Sequence, residues 1–201
     1  MNVSLHKGDL TKFSADALVS AADTSLRMNV GVAAALRKAG GKDVEEEALE
    51  LAPIELGRAL ATTAGKLNAK FVIHAITIQK QGEPARADSI ISAAQESLTL
   101  ADSLECETIA FPALGCGEGG FAVLECARLL LPRIRSFSGD NLKHAFVVLF
   151  SEVDFKAFES VATEFGIAQA KYVLPKMEAP VDSESRDSPG SVSNPGSEAS
   201  P

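Results

Sequence analysis

The chain has 201 residues, of which 46% are hydrophobic, and its formal net charge is −8. This length fits one globular domain with an appendage. The acidic balance argues against nucleic-acid binding and against a basic membrane-surface module, since both need clustered Lys and Arg. The first residues do not have the charged and apolar regions of a signal peptide, and no apolar run reaches the roughly 18 residues of a membrane span.

The cysteines and histidines give no sign of a metal site or a catalytic triad. We expect ordinary thiols in a reducing compartment, no structural zinc and a cytoplasmic location, because the cysteines are odd in number and form no CxxC pair: Cys106, Cys116 and Cys126. His74 lies in an apolar run, which favours a core residue whose hydrogen bonds are satisfied. Neither His6 nor His144 has a Cys or Ser partner at a suitable spacing.

Hydrophobic periodicity predicts strands and helices in alternation. The apolar runs of strand type are 3–5, 17–19, 59–63, 71–76, 108–111 and 145–150. Helical character extends over 31–38, 43–51, 88–104, 122–134 and 155–165. The second helix carries Glu45, Glu46 and Glu47 in its early turns, where the helix dipole favours anions. This order predicts an α/β domain whose sheet is covered on both faces.

The composition changes at Lys176. The last 26 residues contain 7 Ser, 4 Pro and 2 Gly, with five acids against two bases. Such a segment buries too little apolar surface to offset the entropy of ordering. We therefore assign residues 1–175 to the domain and residues 176–201 to a disordered, acidic Ser/Pro-rich tail. The tail carries −3 of the net charge, so the domain itself stays acidic.

The loop at 113–121 is the strongest local signal. It follows a strand, precedes a helix and holds four glycines within six residues. Glycines let backbone N–H groups approach an anion, and a helix N-terminus adds a favourable dipole, so the loop predicts a phosphate cradle. A tight turn is the structural alternative. The spacing also satisfies GxGxxG, but only one strand and one helix follow, and Asp140 lies in a turn rather than at a strand end.

Two earlier segments are further candidates. Asp9 follows the first strand, where its carboxylate either accepts from an exocyclic amine or begins an Asx-type turn. The small-residue loop at 20–32 enters a helix at Gly31 and is a second candidate anion site.

Together these segments resemble the macro domain family. The family pattern runs Gly-Asp-Ile-Thr, Val-Asn-Ala-Ala-Asn, Gly-Gly-Gly-Val, Ile-His-Ala and Phe-Pro-Ala-(Ile/Leu)-Gly-Thr-Gly. This chain has Gly-Asp-Leu-Thr at 8–11, Val-Ser-Ala-Ala-Asp at 19–23, Asn-Val-Gly-Val at 29–32, Val-Ile-His-Ala at 72–75 and Phe-Pro-Ala-Leu-Gly-Cys-Gly at 111–117. The Gly-Glu-Gly-Gly-Phe ending at 117–121 is typical of one prokaryotic branch. The resemblance covers about residues 3 to 165 and implies a three-layer α/β/α fold with a central mixed sheet.

The resemblance also implies an ADP-ribose cleft at the strand ends, with ADP-ribose as ligand and no cofactor. Asp9 would take the adenine amine beside the Leu10 backbone, and Phe150 would pack near adenine unless it is a core residue at the strand end. Gly31 and Val32 would face the pyrophosphate from one side. The residues that would face it from the other side form the glycine-rich loop: Gly115, Cys116, Gly117, Glu118, Gly119, Gly120 and Phe121.

The distal ribose end departs from the family. Ser20 and Asp23 stand where the family has two asparagines, and Asn29 and Val30 stand where it has two glycines. An ionised Asp accepts hydrogen bonds but does not donate them, and its charge repels a pyrophosphate nearby. Glu118 adds a second acid unless it points to solvent. These changes predict weaker affinity or a shifted ligand preference.

Three functions are compatible with this pattern. The first is a module that binds free ADP-ribose or ADP-ribosylated proteins. The second is a hydrolase of ADP-ribosyl-protein esters or of O-acetyl-ADP-ribose, with Asp23 as the catalytic candidate. The third is a divergent domain with another nucleotide ligand or none. Hydrolytic members generally use the second Asn and often an acid after the Gly-Gly-Gly-Val turn. Here these positions hold Asp23 and Ala33, which favours binding over turnover.

Overall fold

The computed structural model describes residues 1–167, so the predicted tail at 176–201 lies outside the described residues. Six strands are present: β1 Asn2–Lys7, β2 Ala17–Asp23, β3 Ala59–Thr63, β4 Phe71–Ile78, β5 Thr108–Phe111 and β6 His144–Leu149. Five α-helices lie between or after them: α1 Gly31–Gly40, α2 Asp43–Glu50, α3 Ala87–Ser103, α4 Val123–Ser136 and, after the last strand, α5 Glu152–Glu164. A short 3-10 turn covers Leu10–Lys12. No helix within 1–167 is long and apolar enough to cross a bilayer.

The strands form one mixed sheet in the order β1-β6-β5-β2-β4-β3. Every neighbouring pair is parallel except β3 and β4, which are antiparallel. The carboxyl ends of the five parallel strands therefore meet at one edge of the sheet, where ligands bind in α/β proteins. The mixed sheet that the resemblance implies is therefore confirmed, although the sequence did not identify β3 as the antiparallel strand.

Helices cover both faces of the sheet. Leu18 and Val19 are adjacent in β2 and point to opposite faces, as strand geometry requires. Val19 packs in a core cluster with residues of α3, α4 and α5, whereas Leu18 packs with residues of α1 and α2. All four residues of β5 and all six of β6 are buried. The predicted three-layer α/β/α fold is thus confirmed.

The predicted elements agree with the observed ones to within a few residues, except that β2 continues to Asp23. One boundary changes an interpretation. The last strand was predicted to end at Phe150, but β6 ends at Leu149, and Phe150 is 82% exposed. The reading of Phe150 as a core residue at the strand end is therefore wrong. The Phe150 side chain is instead exposed to solvent at the carboxyl edge of the sheet.

Candidate functional site

A cleft of about 550 Å³ lies at the carboxyl edge of the parallel strands. Its lining comes from the segments that follow all five of them. Most of the residues singled out in the sequence line this cleft: Asp9, Leu10, Asp23, Gly31, Val32, Gly115, Cys116, Gly117, Glu118, Gly119 and Phe150. Three segments that are distant in sequence therefore meet in one place.

One end of the cleft, beyond β1, is formed by the Asp9 turn, residues 9–11. Asp9 Oδ1 accepts from the Thr11 backbone N–H at 2.9 Å and from Thr11 Oγ1 at 2.7 Å. The carboxylate caps the 3-10 turn that follows, and Leu10 is buried beneath it. The two hydrogen bonds fix the orientation of the side chain and leave Oδ2 for a ligand. Asp9 therefore begins an Asx turn and also lines the cleft, so the turn does not exclude the predicted contact with an exocyclic amine.

The other end, beyond β2, is formed by the Asp23 turn, residues 23–25. Asp23 Oδ1 accepts from the Ser25 backbone N–H at 2.7 Å and from Ser25 Oγ at 2.6 Å. As at Asp9, two donors hold one carboxylate oxygen, and the second oxygen, Oδ2, is left to accept from a ligand. The cleft therefore has an ordered acid at each end.

Two helix N-termini face the cleft between these turns. The first intrahelical donors are Ala34 N–H in α1 and Cys126 N–H in α4, and neither helix has a side-chain cap. The N–H groups of 31–33 and of 123–125 precede those donors and have no intrahelical acceptor. The helix α2 also lacks a side-chain cap, whereas α5 is capped by Ser151 Oγ, which accepts from Asp154 N–H at 3.0 Å. What distinguishes α1 and α4 from α2 is that residues of their first turns line the cleft. Uncapped N-termini attract anions through their N–H groups and their dipole.

Gly31 is the first residue of α1 and has a φ of +56°, which side-chain-bearing residues rarely adopt. No atom lies within 4 Å of the position that a Cβ would occupy, so a side chain there would project into open space. Glycine at this position therefore satisfies the backbone angle and leaves the end of α1 accessible from the cleft.

The glycine-rich loop is held from behind. A Cβ on Gly119 would lie 2.7 Å from the Ala85 side chain and 2.7 Å from the Gly115 carbonyl oxygen. The Ala85 N–H donates to Gly119 O at 2.9 Å, and Phe121 N–H donates to Gly115 O at 3.0 Å. These contacts hold the loop against the segment that precedes α3. Gly117 has no such neighbour and faces the cleft.

The charges of the cleft do not by themselves favour an anion. Within the described residues, its lining contains four carboxylates and one cationic side chain, Arg27. The carboxylates are Asp9, Asp23, Glu118 and Asp154. An anionic ligand here must therefore be stabilised mainly by backbone N–H groups and helix dipoles.

Three predicted site residues do not line the cleft: Ser20, Gly120 and Phe121. Phe121 packs against the core beneath α3 and α4. Ser20 is fully buried, and its Oγ has no hydrogen-bond partner. It lies on the same face of β2 as Leu18, which is covered by α1 and α2, so it cannot face a ligand in the cleft without a change in the sheet.

Ser20 is opposite His74 in the parallel pairing of β2 and β4. His74 is fully buried, as predicted, but its hydrogen bonds are only half satisfied. Its Nε2 lies 3.0 Å from Thr62 Oγ1, whereas Nδ1 has no partner. Burial lowers the pKa of His74 to about 4, because the charged imidazolium is poorly solvated in the core. His74 is therefore neutral at pH 7, and it lies in the core rather than in the lining of the cleft.

Several cleft residues were not singled out in the sequence: Arg27, Thr77, Gln81, Val148 and Asp154. Thr77 and Gln81 lie at or after the end of β4. The rule that carboxyl ends of parallel strands share an edge could have found them. Arg27 lies in the predicted loop at 20–32 but has no motif of its own.

The comparisons with known proteins agree with this geometry. The sequence model of the Macro domain matches residues 19–130. An uncharacterized protein of Mycobacterium bovis is 38% identical over 160 residues, which are 80% of this chain and 44% of that protein. The chain thus spans less than half of that relative. An uncharacterized protein of Aquifex aeolicus is 36% identical over 161 residues and is covered to 98% of its length, against 80% of this chain.

A structural neighbour carries a ligand. The Trypanosoma brucei macrodomain in complex with ADP-ribose superposes with a TM-score of 0.73 at 26% sequence identity. The match covers 80% of this chain and 69% of the trypanosomal chain.

Proposed function

Because the chain belongs to the macro domain family, we propose that its cleft binds ADP-ribose, either free or attached to proteins, without efficient hydrolysis. The observation that carries the proposal is the arrangement of two uncapped helix N-termini between two ordered carboxylates. A dinucleotide-like ligand needs anion-binding groups in the middle and polar acceptors at both ends. The ADP-ribose complex of the trypanosomal neighbour supports the same ligand.

The Asp9 turn fits adenine. The exocyclic amine of adenine is a donor, and Asp9 Oδ2 is an oriented acceptor. Phe150, 82% exposed and lining the same end, offers an aromatic face for the base. The carboxylate distinguishes an amine donor from the carbonyl acceptor that a guanine ring presents at the equivalent position.

The middle of the cleft fits the pyrophosphate. The N–H groups of 31–33 lie at the start of α1, and the loop of Gly115–Gly119 lies opposite them. Neither set needs a cationic side chain, which agrees with the acidic lining of the cleft. The proposal therefore assigns the diphosphate to backbone groups.

The Asp23 turn fits the distal ribose. A cis-diol donates two hydroxyl hydrogens, and Asp23 Oδ2 is an acceptor for them. Asp23 is also the residue best placed to act as a base on water, so hydrolysis is the second candidate. Against turnover, Asp23 Oδ1 is already engaged by two donors and Ser20 is withdrawn into the core. Neither Ser20 nor Asp23 then supplies a side-chain amide to orient a water molecule.

Calorimetric titration of the full chain with ADP-ribose tests the binding proposal. Titrations with AMP and with ribose 5-phosphate serve as matched ligands that contain only one end each. We expect ADP-ribose to bind more tightly than either fragment, because it alone combines the adenine, the diphosphate and the distal ribose in one ligand. No heat and no stabilisation with ADP-ribose at millimolar concentration would refute the proposal.

A turnover assay separates the two candidates. The full chain is incubated with a protein carrying ADP-ribose on glutamate, and released ADP-ribose is measured. We expect binding of this protein without release above the uncatalysed rate. Rapid release that disappears in Asp23→Ala would instead identify a hydrolase with Asp23 as its base.

A further inference from the structure

Two cysteine sulfurs meet behind the glycine-rich loop. Cys116 belongs to that loop, and Cys126 lies in the first turns of α4. Cys126 Sγ donates to the Leu114 carbonyl oxygen at 3.2 Å, and Cys116 Sγ donates to the same oxygen at 3.6 Å. The adjacent Cys116 side chain, together with burial, raises the pKa of the Cys126 thiol. The two thiols are therefore direct neighbours, although ten positions separate them.

The two thiols differ in access. Cys116 is half-buried and lines the cleft, whereas Cys126 is fully buried. A reagent that enters the cleft therefore meets Cys116 first. An accessible thiol beside a protected one is the arrangement of a redox-sensing pair, in which the second cysteine resolves the oxidised form of the first. The third cysteine, Cys106, is buried at the amino-terminal end of β5, at the opposite edge of the sheet.

We propose that Cys116 and Cys126 form a reversible disulfide on exposure to a peroxide, and that this bond weakens ligand binding in the cleft. The first half stands on the cysteine geometry alone. The second half rests on the proposed function.

The chemistry balances with a peroxide as the oxidant. The Cys116 thiolate attacks one peroxide oxygen, the O–O bond breaks, and a sulfenic acid and one water form once protons are exchanged. The Cys126 sulfur then attacks the sulfenic sulfur. The S–O bond breaks, the S–S bond forms, and the Cys126 proton leaves with the hydroxyl group as a second water. Both thiols are oxidised by one electron each, and the peroxide is reduced. A dithiol reductant reverses the bond.

The disulfide would act on the cleft through the loop backbone. A covalent sulfur–sulfur bond is shorter than a thiol hydrogen bond, so it draws Cys116 towards α4. The backbone at Gly115 and Gly119 has little room to move with Cys116. Even one added Cβ atom at either position would lie within 3 Å of neighbouring atoms. The backbone that moves is therefore that of Cys116, Gly117 and Glu118, which line the cleft. Backbone donors moved in this way no longer fit a diphosphate that they bind in the reduced protein.

The coupling is reciprocal. If the disulfide weakens ADP-ribose binding by a given factor, bound ADP-ribose disfavours the disulfide by the same factor. Saturating ligand should therefore protect the pair from oxidation when dithiol and disulfide are at equilibrium in a thiol–disulfide redox buffer. This protection is a second readout of the coupling, and it does not need a mutant.

The test uses the full chain and hydrogen peroxide. After oxidation and removal of peroxide, free thiols are alkylated and peptides are mapped by mass spectrometry. We expect a linkage between Cys116 and Cys126, a dissociation constant for ADP-ribose raised about tenfold, or about 1.4 kcal/mol, and recovery with dithiothreitol. Cys106→Ser is the matched control and should behave as the unmodified chain does. Free thiols at 116 and 126, or irreversible oxidation of Cys116, would overturn the proposal.

A second variant tests the order of events. In Cys126→Ser, the sulfenic acid at Cys116 has no resolving thiol and should be captured by dimedone. The unmodified chain should show little capture. Cys126→Ala serves the same purpose if the serine variant folds poorly. Equal capture in both proteins would contradict the role of Cys126.

The two proposals fail in different ways. A mapped disulfide with unchanged affinity refutes the coupling and leaves the binding proposal intact. A reduced protein that does not bind ADP-ribose refutes the proposed function and, with it, the coupling. The linkage map then still decides whether the disulfide forms.

Discussion

The Asp9 turn and the Asp23 turn are built alike. Each follows a parallel strand, and each has an Asp whose Oδ1 accepts from the backbone N–H and the hydroxyl of the residue two positions later. The oxygen left over in both cases is Oδ2. The same local structure therefore presents one oriented acceptor at each end of the cleft, and the difference between the ends must come from what surrounds it.

The surroundings do differ. Beneath the Asp9 turn, the rings of His6, Phe13 and Phe146 pack with centroids 5.0–5.6 Å apart. Near the Asp23 turn, by contrast, the core contains two buried polar atoms that lack a hydrogen-bond partner, Ser20 Oγ and His74 Nδ1. An acid also matches the family pattern at position 9 but departs from it at position 23. We therefore expect the two similar turns to contribute unequally, with the Asp9 turn increasing the affinity for the ligand and the Asp23 turn lowering it.

The largest effect is expected from Asp9→Ala. The substitution removes the charged acceptor for the adenine amine, which contributes about 1.5–3 kcal/mol. ADP-ribose affinity measured by calorimetry should fall by tenfold or more. Asp140→Ala, which removes an equal charge outside the cleft lining, is the control and should bind as the unmodified chain does. Unchanged affinity in a folded Asp9→Ala protein would remove this residue from the site.

Asp23→Asn should act in the opposite direction. It removes a carboxylate charge that, at ~8 Å and an effective dielectric of ~20, repels a pyrophosphate charge by about 2 kcal/mol. It also supplies an amide donor. A repulsion of about 2 kcal/mol corresponds to roughly thirtyfold in affinity. Because salt screens exposed charges, we expect a rise of about three- to tenfold, with a smaller gain at high salt. Loss of affinity would mean that the carboxylate itself binds the distal ribose strongly.

The smallest effects concern the hydroxyls that hold the carboxylates. Thr11→Val deletes the 2.7 Å hydrogen bond to Asp9 and should weaken binding about threefold, since a typical hydrogen bond contributes about 0.5–1.5 kcal/mol. Ser25→Ala deletes the 2.6 Å hydrogen bond to Asp23 and should change affinity by less than about twofold. The reverse ranking of these two variants in the same titration would contradict the assignment of the binding end.

The sequence was sufficient for most of the fold, because alternating apolar runs and helical spacings are local signals. It located the Asp9 turn, the start of α1 and the glycine-rich loop, since glycines and a strand-end Asp mark these places. The antiparallel pairing of β3 was not predictable in this way. Strand direction depends on which partner a strand finds, and no residue in 59–63 encodes it.

Ser20 shows a different limit. Motif matching assigned it to the distal ribose, although alternation along β2 places it with Leu18 on the face covered by α1 and α2. The alternation of side chains along the strand, and not the match to the motif, determines which way Ser20 points. The proximity of Cys116 and Cys126 was equally hidden, because it depends on how the loop folds back onto α4. A spacing of ten residues carries no such signal.

A crystal structure of the full chain with ADP-ribose tests the central claim most directly. The account predicts the adenine amine within hydrogen-bond distance of Asp9 Oδ2, the diphosphate between the start of α1 and the glycine-rich loop, and the distal ribose hydroxyls at Asp23 Oδ2. A ligand bound in the reverse direction, with adenine at the Asp23 turn, would contradict the account, as would a diphosphate bound by side chains alone.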